Sequence, residues 1–276
     1  MFKIKKNNND LIIINSDNFD LSMTLDCGQA FRWKVDEKNH WKGIAFNKCL
    51  EIYKDNNSIV LKDTTLEDFN NIWKHYFDLE RDYKKIIELF KNNEVLNAAA
   101  NYGNGIRILN QEPWEALCSF IISQNNNIPR IKGIIDRLCE NFGEKCQFGF
   151  TFPTAEKIAT LTVDDLSVLR SGFRAKYIID AAQKVANGVI NLESLKHKTL
   201  EESREELIKI KGVGPKVADC VSLFSLEHFN SFPKDVWIKR AMEVLFGGEL
   251  PKVAIGYEGI AQQYIFYYAR MTKLDI

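Results

Sequence analysis

Two side chains in the C-terminal third could carry out covalent chemistry together. Lys216 closes the run Gly212-Val213-Gly214-Pro215-Lys216, and Asp235 follows Phe232-Pro233-Lys234. A primary amine attacks an electrophilic carbon in its neutral form, and the first turn of a helix disfavours a nearby positive charge, which suits a nucleophilic lysine. A carboxylate can stabilise the positive charge that develops on the atom under attack. Taken singly, Lys216 reads as a phosphate contact and Asp235 as a plain N-cap. Their setting joins them. The run Ile208-Lys209-Ile210-Lys211-Gly212-Val213-Gly214-Pro215-Lys216-Val217-Ala218-Asp219-Cys220 predicts the end of one helix, a tight glycine turn, a proline at the first helical position and a new helix. Glycines let a phosphate approach the backbone, and the new helix offers free N–H groups and a positive dipole end. Lys209, Lys211 and Lys216 add positive charge, and no acid lies between Leu207 and Ala218. The plain alternative is an αα-turn with solvated lysines. The pattern describes instead a clamp on a nucleic-acid backbone, a helix–hairpin–helix at 208–216 with Gly212 and Gly214 at its tip.

The hairpin, its lysine and the downstream Pro-x-Asp resemble the helix–hairpin–helix (HhH-GPD) DNA glycosylase superfamily. Four further segments narrow the resemblance to its 8-oxoguanine DNA glycosylase/AP lyase branch: Cys27-Gly28-Gln29-Ala30-Phe31-Arg32-Trp33, Ser123-Gln124-Asn125-Asn126-Asn127-Ile128-Pro129-Arg130-Ile131, Gly172-Phe173-Arg174-Ala175-Lys176-Tyr177 and Ala261-Gln262-Gln263-Tyr264-Ile265-Phe266. The resemblance covers nearly the whole chain. It implies an enzyme that flips 8-oxoguanine out of double-stranded DNA opposite cytosine, excises it, and nicks the strand by β-elimination through a Schiff base on Lys216. Asp235 would stabilise charge on the sugar.

A base-excising enzyme must also inspect what it extrudes. Guanine offers a lone pair at N7 where 8-oxoguanine offers an N–H, so a fixed carbonyl there attracts one and repels the other. The resemblance places the Gly28 carbonyl in that role. Gln262 and Phe266 are four apart on one predicted helix, hence on one face. The amide can bond the Watson–Crick edge and the ring can stack on the base, with Cys220 implied on the opposite side. Without the resemblance, Phe266 reads as core, Gln262 as a solvated polar residue and Cys220 as a small buried hydrophobe. Asn125 and Arg130 match residues that fill the vacated stack and read the estranged cytosine, with Arg174 a second reader. A polar loop with exposed arginines is the plain alternative.

Two positions depart from the family pattern. Phe173 stands where a tyrosine wedge is usual, keeping the aromatic plane without the hydroxyl. Trp237 stands where a histidine is frequent; it can stack or donate one N–H but carries no charge. The chemistry needs no cofactor. The resemblance suggests a structural metal ion on the backbone carbonyls of Ile208, Ile210 and Val213, bridging to a phosphate. No cysteine follows Cys220, so no iron–sulfur cluster of the kind some relatives carry is expected. The competing functions are excision of another damaged base, such as a ring-opened purine, an alkylated base or an oxidised pyrimidine, and a non-catalytic DNA-binding scaffold. Alkyl-specific relatives commonly lack the lysine, and a scaffold would need no Lys–Asp pair.

The elements that must position these residues change character near residue 64. Leu11–Ile14, Ala30–Val35, Trp41–Phe46, Leu50–Tyr53 and Ile59–Leu61 read as antiparallel strands, with a turn at Asp55-Asn56-Asn57. Capping boxes stand at Thr65–Asp68, Thr162–Asp165 and Thr199–Glu202. Helices are expected from Thr65 through Phe77 and at about 81–91, 112–124, 128–142, 173–187, 200–209, 215–226, 235–246 and 257–271. This is an α+β chain: an N-terminal antiparallel sheet domain with flanking helices at 1–100, TBP-like by the resemblance, then helical glycosylase domains at 101–276.

Bulk composition bounds these readings without choosing among them. The 276 residues are 45% hydrophobic, too apolar for a disordered chain. No apolar run approaches the length of a bilayer span, and the Lys/Asn-rich start is no signal peptide. Cysteines 27, 49, 118, 139, 146 and 220 fit no zinc spacing and read as reduced thiols. An intracellular monomer acting on DNA is the expectation. The 37 Lys+Arg balance 37 Asp+Glu, which excludes a histone-like binder and leaves a narrow basic face on a neutral body. That face comprises the three hairpin lysines, Arg170, Arg174 and Lys176, and Arg130 with Lys132.

Overall fold

A computed structural model describes residues 2–16 and 18–272. Six strands form one antiparallel sheet: β1 Lys3–Asn7, β2 Asp10–Ile14, β3 Lys34–Val35, β4 Trp41–Ala45, β5 Lys48–Asp55 and β6 Ser58–Leu61, in the order β1-β2-β6-β5-β4-β3. Three hairpins pivot on asparagines. Asn7 pairs with Asp10, Ala45 with Lys48 and Asp55 with Ser58, each across a two-residue loop. Asn8, Asn47 and Asn56 hold φ between +51° and +59°, the left-handed region asparagine tolerates. The Lys/Asn-rich start, which the sequence reading left without an assigned strand, thus forms an edge strand and its turn. All of β1 is exposed, and its lysines discourage pairing with another chain.

The expected strand at Ala30–Val35 shrinks to Lys34–Val35. Its first half serves two cores at once. Ala30 and Trp33 lie among the apolar residues under the sheet, whereas Phe31 belongs to the core of the helical part. A segment stitched between two cores has no neighbouring strand to pair with.

One face of the sheet is covered by the helical stretch 66–76, capped by Thr65 and widened into a π-turn at Phe69–Trp73. Trp33, Trp73, Tyr76 and Phe77 cluster there at 5.0–6.5 Å between ring centres. Among the described residues, the remaining regular elements are helical apart from the short pair β7 Lys145–Cys146 and β8 Gly149–Phe150. The expected long helices are all present. Pro113–Ser123 is buried along most of its length and forms the central post. The capping box at Thr199 forms in full, while the one at Thr162 opens only a 3-10 turn, Asp165–Leu169.

Among the described residues, four α-helices have no counterpart in the sequence reading: Leu21–Leu25, Glu94–Tyr102, Ala155–Ala159 and Leu192–Leu195. The first and the last two are a turn or so long, too short for periodicity to register. Glu94–Tyr102 buries only Leu96, Ala99 and Ala100 against the helix Glu258–Met271, a face too small to give a strong apolar stripe. Among the described residues, no helix is long and apolar enough to cross a membrane.

Candidate active site

The hairpin forms as its sequence dictates, and its two glycines do different work. The helix Leu200–Ile208 ends at Lys209, Ile210 and Val213 are buried, and Pro215 opens the helix Pro215–Ser225. Gly212 holds φ +82°, and a Cβ there would run into the Tyr177 ring, so it is glycine for both conformation and space. Gly214 has φ −104°, which any residue adopts, and no atom lies within 4 Å of where its Cβ would stand. It leaves the first turn of the new helix open to whatever approaches from outside. The turn is tied down by Asp180, whose carboxylate accepts the Lys211 backbone N–H at 2.7 Å and pairs with Lys184 at 2.5 Å.

Lys216 is half-buried on the first turn. Its Nζ donates to the Ser123 hydroxyl at 3.4 Å and lies 5.7 Å from the centre of the Phe120 ring, both on the central helix. Among the described residues it has no ion-pair partner. Asp235 is indeed an N-cap: its Oδ1 accepts the Ile238 N–H at 2.7 Å at the start of Val236–Phe246. The capping role leaves Oδ2 free among the described residues, and Asp235 and Lys216 line the same cavity. The two readings of Asp235 are therefore compatible, because one oxygen holds the helix start and the other is left without a partner among the described residues, in a side chain that lines the cavity.

That cavity, of about 460 Å3, is walled by Gly28, Phe120, Ser123, Lys216, Asp235, Trp237 and Phe266 among others. It narrows into a recess of about 60 Å3 where Gln262, Gln263, Cys27 and Cys220 join Gly28, Lys216, Asp235 and Phe266. A loop from the sheet domain, two turns of the C-terminal helix Glu258–Met271 and the hairpin helix thus meet at one place.

The Gly28 loop is held rigid from beneath. Gly28 has φ +90°, and its carbonyl accepts no hydrogen bond from the described residues. Gln29, wholly buried, donates to the carbonyls of Thr24 at 2.9 Å and Arg107 at 2.8 Å and accepts the Leu109 N–H at 2.9 Å. Gln111 in turn donates to the Gln29 carbonyl at 2.7 Å. These bonds tie down the residue that follows the unpartnered Gly28 carbonyl. Opposite it, Gln262 is buried and its Oε1 accepts from Gln263 at 2.9 Å. Burial pushes the Cys220 thiol up to about 11, with nearby Lys216 opposing, so it presents a neutral, polarizable surface.

The asparagine run divides its tasks. Asn127 caps the helix Ile128–Phe142, Asn126 bonds back to the Ile122 carbonyl at 3.1 Å, and Asn125 stands exposed at the tip with φ +46°. Arg130 is exposed one turn further on. Phe173 and Trp237, the two departures from the family pattern, are 48% and 53% exposed, unusual for aromatic rings unless something covers them. Arg174 is placed otherwise than a free base reader would be. It is 2% exposed, and its guanidinium donates to the carbonyls of Gln124, Asn125 and Ser171. In this state it holds the Asn125 tip in place. Burial and the adjacent Arg130 both depress its pKa. The basic face is also thinner than the sequence implies, since Lys209 pairs with Glu206 at 2.8 Å and Lys132 with Asp26 at 2.9 Å. Sequence reasoning missed Ser123, Phe120, Cys27 and Gln263 as members of the site; all four sit inside quoted or adjacent segments, but none has a type or spacing that marks it.

Comparison with known proteins agrees with this geometry. Residues 11–117 match the 8-oxoguanine DNA glycosylase N-terminal domain family, and residues 118–252 match the HhH-GPD superfamily of base excision DNA repair proteins. The N-glycosylase/DNA lyase of Saccharomyces cerevisiae is 34% identical, over 83% of this chain and 69% of that protein. The Clostridium acetobutylicum 8-oxoguanine glycosylase/lyase, solved with double-stranded DNA containing cytosine opposite 8-oxoguanine, is 40% identical with a TM-score of 0.91 over 99% of each chain. A structure of MBOgg1 with a low-affinity DNA ligand is 39% identical with a TM-score of 0.94, over 99% of this chain and 100% of that one. A 3-methyladenine DNA glycosylase from Archaeoglobus fulgidus, 20% identical, shares the fold. Fold, cavity and sequence converge on one conclusion: this chain belongs to the 8-oxoguanine DNA glycosylase family of the HhH-GPD superfamily.

Proposed function

We propose that this protein excises 8-oxoguanine paired with cytosine in duplex DNA and then nicks the strand. The observation that carries the reading is the placement of Lys216 and Asp235 in the same recess as the free Gly28 carbonyl, Gln262 and Phe266. Chemistry and inspection share one pocket. The Lys216 amine attacks C1′ of the extruded nucleotide, and the N-glycosidic bond breaks with its electron pair leaving on the base, which takes up a proton. Asp235 offsets the positive charge on the sugar as that bond stretches. Opening of the sugar ring gives a Schiff base on Lys216; loss of a C2′ proton then expels the 3′ phosphate by β-elimination. Gly28 reads N7, Gln262 the Watson–Crick edge, and Phe266 and Cys220 flank the base. Asn125 and Arg130 take the vacated stack and the unpaired cytosine. Arg174 joins them by giving up one of its loop carbonyls. Phe173 and Trp237 cover exposed base or sugar surface.

The hairpin holds the DNA backbone, with Gly212 shaping the turn and Gly214 leaving it open. A metal ion on the carbonyls of Ile208, Ile210 and Val213 fits that role: those of Ile208 and Val213 accept no hydrogen bond from the described residues, whereas that of Ile210 accepts from the Val213 N–H. When bound, the ion supplies charge for a phosphate and takes no part in bond breaking. The chain acts as a monomer, since both walls of the pocket come from one chain, and its six free cysteines suit a reducing, intracellular setting. Single-turnover excision from duplexes carrying 8-oxoguanine opposite each of the four bases, beside duplexes with an alkylated base or an oxidised pyrimidine, tests the reading. Fastest release of 8-oxoguanine opposite cytosine supports it. Preferred release of another base, or binding without release, overturns it.

A further inference from the structure

The two groups assigned to base inspection come from opposite ends of the chain, Gly28 from the sheet-domain loop and Gln262 from the C-terminal helix. One side chain joins them. Gln263 Nε2 donates to Gln262 Oε1 at 2.9 Å, and Gln263 Oε1 accepts from the Cys27 thiol at 3.3 Å. Cys27 directly precedes Gly28. All three side chains are at most 5% exposed, and all three line the recess that also holds Lys216 and Asp235.

We infer that Gln263 is a positioning residue that sets the spacing and orientation of the two reading groups by bridging Cys27 to Gln262. The inference rests on the function proposed above and extends it to a residue that need not touch the base.

The direction of the bridge follows from donor chemistry. A thiol has one hydrogen, and burial pushes the Cys27 thiol up to about 12, so it keeps that hydrogen. The alternative acceptor, the Thr24 carbonyl, is farther at 3.5 Å. The Gln263 oxygen therefore faces Cys27, which turns its nitrogen toward Gln262 and fixes which way round the Gln262 amide lies. An amide free to flip would exchange donor for acceptor against a bound base, and discrimination between bases that differ by one hydrogen would weaken. A bonded chain of three buried groups also resists separation of the two walls, and small errors in placement cost rate steeply.

The test compares wild type with Gln263→Met, which keeps the length and apolar volume but removes both ends of the bridge. The readouts are single-turnover release of 8-oxoguanine opposite cytosine, affinity for a duplex with a tetrahydrofuran abasic analogue, and Tm. Base release should slow by about ten- to a hundredfold, while affinity for the base-free duplex and Tm stay close to wild type. Cys27→Ser, whose hydroxyl can donate in place of the thiol, should stay nearer to wild type than Cys27→Ala. Wild-type release by Gln263→Met overturns the inference alone. Parallel loss of release, base-free affinity and Tm overturns it too, because that marks general packing. A wild-type protein that releases no 8-oxoguanine overturns it together with the function beneath it.

Discussion

The two walls that the proposed function assigns to reaction and to base reading are built on opposite principles. On the reaction wall, Lys216 has one long hydrogen bond to Ser123, and Asp235 commits one oxygen to a helix cap. On the reading wall nearly everything is committed. Gln29 donates two hydrogen bonds and accepts two, and Gln263 links Gln262 to Cys27. Among the described residues the Gly28 carbonyl and the Gln262 Nε2 are left without a hydrogen-bond partner, beside groups that are all bonded. A nucleophile has to leave its resting partners to form a bond, so weak tethering serves it. A discriminating site loses selectivity if its groups adjust to the wrong ligand, so saturation serves it.

The largest effect should come from the loosely tied wall. Lys216→Gln should lower base release by at least about a thousandfold while leaving duplex affinity and Tm nearly unchanged, as measured by single-turnover kinetics beside equilibrium binding. Asp235→Asn is the sharper probe, because asparagine caps helices as well as aspartate does. Tm should hold while release falls by about a hundredfold or more; a matching fall in Tm would mean that the cap is all Asp235 does. The hairpin glycines should split next. Gly212→Ala forces φ +82° on a side chain and meets Tyr177, so it should lower Tm by the equivalent of roughly 2–4 kcal/mol. Gly214→Ala should leave Tm nearly intact and weaken duplex binding by about tenfold, provided a phosphate comes that close.

The smallest effect lies away from both walls. Glu112 caps the central helix Pro113–Ser123, and burial pushes its carboxyl up to about 7, against the opposing pull of the Trp114 and Glu115 N–H groups. Its folded pKa exceeds the unfolded value. The unfolded chain therefore releases this proton first, and the group's share of stability is present below about pH 4.5 and declines as pH rises toward 7. Across that window the Tm of wild type should fall relative to Glu112→Gln, which has no such proton to release. A difference that does not vary with pH would contradict the assignment.

The reaction wall was legible in the sequence because it is local. Two glycines, a proline and a lysine within five residues fix a turn and the helix after it, and Asp235 announces its own helix. The reading wall was legible only in outline. Gly28 and Gln262 could be named through resemblance, but Cys27 and Gln263 gain meaning only when segments more than two hundred residues apart come within bonding distance. Arg174 shows the converse: its type and neighbours suggest an exposed contact, yet the donors are taken up by a loop that sequence alone cannot place above it. Lys132 and Lys209 likewise count as free charge until Asp26 and Glu206 are found beside them. In the sheet, asparagine pivots were readable at Asp55-Asn56-Asn57, and the same logic applies at Asn8 and Asn47.

Borohydride reduction during incubation with an 8-oxoguanine:cytosine duplex tests the central claim most directly, followed by proteolysis and mass mapping of the adduct. The account predicts a covalent protein–DNA complex with the reduced sugar on Lys216, and none with Lys216→Gln. A complex mapped to another amine, or undiminished trapping by Lys216→Gln, would contradict it.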